Sequence, residues 1–184
     1  MSRPAANLKG QPGAATEPGL ATVAPQPARI AIAALRVVLG FYFLWAFVDK
    51  LFGFGFATPA ERAWINGGSP TTGFLSGVKG PFAGLFNAIA GAAWADWLFM
   101  AGLLGIGVAL ILGIGMRVAA VAGVVLVFLM WLASFPLETN PIIDDHVLEG
   151  VAIATVALFG AGDVYGLGLR WKALPIVQRN HWLI

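Results

Sequence analysis

The chain has 184 residues, of which 59% are hydrophobic and only 11% charged, and its mean hydropathy is +0.82. An aqueous domain carries roughly 25% charged residues, so a water-soluble globule is excluded, and a net charge of +2 is too small and too scattered for nucleic-acid binding. Cysteine is absent, which rules out thiol–disulfide relay chemistry and a cysteine-held iron–sulfur cluster within this chain.

Residues 1–28 are rich in Pro, Ala and Gly, with Pro4, Pro12, Pro18, Pro25 and Pro27, and lack hydrophobic periodicity. This composition predicts a disordered N-terminal tail. It has no apolar core of signal-peptide length, and the first apolar run ends in Asp49-Lys50 without a small-residue cleavage site, so that run stays as an anchor.

A single membrane domain is expected over residues 29–171. Its first span covers about 30–48 and is interrupted only by Arg36. The segment 51–95 follows, with strong local punctuation. Thr58-Pro59-Ala60-Glu61 combines a cap, a proline at the first helical position and a capping-box glutamate. That helix should stop at Asn66-Gly67-Gly68, with further short helices after Ser69-Pro70 and Gly80-Pro81. In the last of these, Phe82, Leu85, Phe86 and Ile89 share one face.

The second span, 97–116, is a charge-free twenty, the length needed to cross roughly 30 Å of hydrocarbon. The third, 118–135, is separated from it only by Arg117, which predicts a tight hairpin. The fourth, 146–162, is the shortest, and residues 172–184 form a C-terminal tail. The fold class is therefore all-α: a four-transmembrane-helix bundle with short extracytoplasmic cap helices between the first two spans.

Charge gives the orientation. Arg3, Lys9, Arg29, Arg36, Arg117, Arg170, Lys172 and Arg179 fall on the side of the termini, against Lys50, Arg62 and Lys79 on the other. The positive-inside bias puts both termini in the cytoplasm of a plasma (inner) membrane protein. Trp45, Trp94, Trp97 and Trp131 mark the outer interface, and Trp171 and Trp182 the inner. Small residues four apart (Ala101, Gly105, Ala109, Gly113; Ala119 with Gly123; Gly150 with Ala154) are expected to let the helices approach closely. A homo-oligomer seam along such a stripe is compatible with the pattern. Arg36 lies roughly 9 Å inside its span at 1.5 Å per residue, and is expected to reach the inner interface or to pair with Asp163.

The polar stretch NPIIDDHVLEG (residues 140–150) then falls at the outer mouth with Asp49-Lys50 and Asp96. Carboxylates at the start of a helix are favoured by its dipole, and Asp145, His146 and Glu149 share about one face. Two readings are open. In one, the charges form an interfacial network in which Lys50 neutralises a carboxylate. In the other, His146, Asp145 and Glu149 exchange protons with a quinone. Tyr42, Trp45, Trp131 and Phe135 hold its ring in that case, with Lys50 and Asn140 completing the site. One imidazole with flexible carboxylates is a weak metal signature, and no metal is expected. The two histidines, His146 and His181, fall on opposite sides, so no bis-histidine haem is expected, and neither is a flavin. No phosphate cradle, nucleophile triad or transporter-type internal repeat is visible.

The stretches ALRVVLGFYFLWAFVDKL, DWLFMAGLLGIGVALILGIGMRVAAVAG, NPIIDDHVLEG and GLGLRW resemble the DoxX family, which includes the membrane subunit of thiosulfate:quinone oxidoreductase. The resemblance covers about residues 30–171, with Arg36, Gly40, Lys50, Asn140, Pro141, Asp145 and His146 at the matching positions. It implies a four-helix membrane protein in quinone-linked oxidation of reduced sulfur, with any second redox subunit on a separate chain. The alternative is a non-enzymatic membrane scaffold that recruits a redox or stress-response partner through its outer segment.

Overall fold

A computed structural model describes residues 19–138 and 140–184. Among these the chain forms helices and turns and no strand; the expectation for residues 1–18 lies outside the described residues.

Helix α1 runs from Gln26 to Phe52. It starts ahead of the expected 30 because Pro27 sits in the first turn, where a missing N–H costs nothing. Gly53 ends it in a left-handed conformation, φ 71°. Two short helices follow, α2 (Thr72–Leu75) and α3 (Ala83–Ile89), after the two proline signals. The capping-box signal instead yields two 3-10 turns, Ala60–Arg62 and Trp64–Asn66, with no side-chain cap. Between them Ala63 turns extended and buries its methyl completely, which breaks the run. As expected, the segment stops at Gly67, φ 85°.

Helix α4 spans Ala93–Leu112 and α5 spans Met116–Ala133. The hairpin therefore turns at Gly113-Ile114-Gly115, not at Arg117. Gly113 (φ 72°) and Gly115 (φ 55°) adopt the left-handed backbone that stops a helix, and this shifts the expected second span back by four residues. Helix α6 covers Asp145–Leu158 and ends before Gly160, φ 68°. Two short helices, α7 (Gly168–Lys172) and α8 (Pro175–Arg179), lead to a last 3-10 turn.

Helices α1, α4 and α5 are long and apolar enough to cross a membrane, as in a multi-pass integral membrane protein. Val38, Phe41, Leu98, Val121 and Val125 point outward, so these helices are apolar all round, the mark of a span. At 14 residues and 1.5 Å per residue, α6 is about 21 Å long, short of the roughly 30 Å core.

The four long helices pack antiparallel around a core of Leu39, Phe43, Met100, Leu103, Ile106, Leu110, Val127, Ile153 and Val156. Gly40 and Gly107 bring α1 against α4. A Cβ on Gly107 would meet the Leu44 amide nitrogen at 2.8 Å, and one on Gly40 the Ile111 side chain at 2.7 Å. The expected stripe is only partly used: Gly123 faces Ile153 and Gly150 faces Val127, but Gly105 has nothing within 4 Å and Ala101 is exposed.

One end of the bundle is basic. There Arg36, fully buried, donates to the carbonyls of Leu110, Ile111 (2.7 Å) and Tyr165 (3.2 Å). It caps the C-terminus of α4 and does not pair with Asp163, whose carboxylate binds Lys172 at 2.5 Å and the Gly19 amide at 3.0 Å. Two orphan carbonyls at the end of α4, with that of Tyr165 beside them, attract a fork of donors, whereas Asp163 is already taken. Both expected tail edges are also packed: Ala21 donates to the Phe159 carbonyl, and Arg117 to those of Ile184 and His181.

Candidate functional site

The opposite end is acidic and begins with a turn. The Asn140 side-chain oxygen accepts from the Ile142 and Ile143 amides, both at 2.9 Å, an Asx turn that redirects the chain. Trp131 donates from its indole to the Ile142 carbonyl at 2.9 Å and pins this turn to α5. Asp144 then caps α6: one carboxylate oxygen accepts from the Val147 amide (3.3 Å), and the other meets His146 Nδ1 at 2.7 Å. With Asp144 on Nδ1, the imidazole is oriented and Nε2 is left for a second partner. Both side chains are partly exposed, 19% for His146 and 17% for Asp144.

One turn further along α6, the half-buried Glu149 lies near Tyr42 across the α1–α6 seam, with Asp145 nearby. Tyr42, Asp144, Asp145, His146 and Glu149 thus form one cluster of proton-bearing groups.

Of the other expected site residues, Asn140 and Trp131 build the turn that leads into the cluster, and Trp45 and Lys50 lie elsewhere. Trp45 is engaged with Phe41, Phe54 and Phe56, ring centroids 6.1, 6.1 and 5.2 Å away. Trp131 and Phe135 contact each other edge-on at 4.9 Å. Lys50 turns toward the Phe99 ring, 5.9 Å away, into a cavity bounded by α4 and α5. Asp49 and Asp96 are occupied structurally: Asp49 accepts from the Phe56 and Ala57 amides, and Asp96 from Ser69 and from the Thr71 amide and hydroxyl.

Asp144 is the carboxylate that sequence reasoning undervalued beside Asp145. Its signal was available, since an Asp just before an apolar helical run is a capping residue. The apolar walls of the Lys50 cavity carried no such signal. No group of three or more His, Asp or Glu side chains able to hold a metal occurs among the described residues. No family model, curated protein or solved structure matches the chain.

Proposed function

We propose that the chain crosses a plasma membrane four times with both termini cytoplasmic, and serves as a DoxX-like membrane subunit in quinone-linked oxidation of a reduced sulfur compound such as thiosulfate. The observation that carries this reading is the cluster Asp144–His146–Glu149–Tyr42 at the acidic mouth of the bundle. A bound quinone supplies the electron acceptor and takes up protons as it is reduced. The residues fit that need: Asp144 fixes the imidazole of His146, leaving Nε2 to move a proton, and Glu149 near Tyr42 forms a second relay at the seam. A quinone ring would rest on Tyr42, whose ring is exposed. Trp45, stacked on Phe41 and Phe54, and Trp131, edge-on to Phe135, serve as walls further out. Thiosulfate-dependent reduction of a short-chain quinone by the purified chain, alone and with candidate partner subunits, tests this. His146→Gln should lower the rate by about 10²-fold or more. A wild-type chain that reduces no quinone in either setting overturns the reading.

A scaffold is the second reading, favoured by the projecting aromatic lobe of Phe52, Phe54 and Phe56, the last 76% exposed. Capture of a partner lost in Phe54→Ser and Phe56→Ser but kept in His146→Gln would favour it.

A further inference from the structure

The Lys50 cavity lies apart from the His146 cluster: it is walled by α1, α2, α3, α4 and α5, and no residue of α6 lines it. Its volume is about 320 Å³, within the roughly 300–1,000 Å³ of small-ligand pockets. Phe74, Phe86, Trp94, Leu98, Phe99 and Met130 form much of its wall, and only Lys50 and Thr71 bring polar side chains. Trp94 and Leu98 on its wall are largely exposed, so the cavity opens at the side of the bundle, the side a four-span topology would turn to lipid.

Its polar inventory is narrow. The Thr71 hydroxyl is already used, donating to Asp96 at 2.6 Å and accepting from the Gly91 amide at 3.2 Å. The Lys50 ammonium makes no hydrogen bond or ion pair among the described residues. Its neighbour Asp49 is held by two backbone amides. A cation shielded by apolar walls calls for an anionic partner. One ammonium is a point charge without the fork or amide nest that phosphate recognition uses, which matches a small carboxylate in preference to a phosphodiester.

We propose that this cavity binds a long-chain fatty acid from the bilayer, its carboxylate paired with Lys50 and its chain leaving past Trp94 and Leu98 into the membrane. The occupant is a site ligand distinct from the redox partner of His146.

The full chain in nanodiscs, equilibrated with palmitate bearing a diazirine on its chain and irradiated, provides the test. Labelling should concentrate in residues 86–99 and 126–133 and be competed by palmitate far better than by methyl palmitate, a comparison that needs no variant. Lys50→Gln should weaken palmitate competition by about tenfold or more, the scale of a hydrogen bond to a charged group. Lys50→Arg should retain most of it and His146→Gln all of it. Equal competition by the methyl ester, labelling spread evenly around the bundle, unchanged binding in Lys50→Gln, or competition by a short-chain quinone as strong as by palmitate would each overturn the proposal.

Discussion

Arg36 illustrates what a single charge can do inside an apolar helix. Its position about six residues inside the expected first span suggested rescue by the interface or by Asp163, since a buried charge must find a partner. It finds three backbone carbonyls, two of them at the end of α4, and so satisfies groups that would otherwise be orphaned where no water reaches. Arg36→Leu leaves those carbonyls without donors and should cost on the order of 3 kcal/mol. The check is a lowered unfolding midpoint in detergent, with thiosulfate-dependent quinone reduction per folded molecule unchanged. At the acidic end the same scale separates four carboxylates by use. Asp49 and Asp96 hold loops, Asp144 holds both a helix start and a histidine, and Glu149 lies near Tyr42. All are acidic residues near helix ends in the sequence, and only their neighbours distinguish them.

Between elements, the decisive contact is α1 against α4. Lipid provides no hydrophobic drive between helices, so close backbone approach over small residues does the work. The residues used are Gly40 and Gly107, not the Ala101–Gly105 line picked out by spacing, because spacing reveals a small face without revealing which neighbour it meets. Paired substitutions separate the two. Gly107→Ala places a methyl 2.8 Å from the Leu44 nitrogen and should cost about 1–3 kcal/mol by forcing the helices apart. Gly105→Ala enters open space and should be neutral or stabilising by up to about 1 kcal/mol. Thermal unfolding in detergent measures both, and equal effects would contradict this packing. The turn ending α4 shows a similar pattern: a charge-free run suggested continuation to 116, but two glycines with positive φ stop the helix sooner.

For the whole molecule, the question is how often the chain crosses. Three helices are long and apolar enough by themselves, while α6 would need the bundle and its flanking turns to cross. The absence of cysteine makes the test clean, since any introduced thiol is the sole one. In intact cells a membrane-impermeant maleimide should label Phe56→Cys and leave Arg170→Cys unlabelled until the membrane is opened. Three crossings would put position 170 outside, and its labelling from outside would refute the four-span topology.

The all-helical character, the existence of the long helices and the clustering of basic residues at one end follow from hydropathy and charge along the chain, because the cost of exposing backbone or charge to hydrocarbon acts on every residue locally. The partners of Arg36, the choice of Gly107 over Gly105, the pairing of His146 with Asp144 and the cavity at Lys50 were settled only by tertiary structure. Apart from the His146–Asp144 contact, which is local to the start of α6, each depends on which faces of separate helices meet, and neither periodicity nor composition carries that rotational information. Lys50 is the clearest case: it was grouped with His146 by its position at a helix end, yet the turn of α1 directs it toward Phe99 and away from α6.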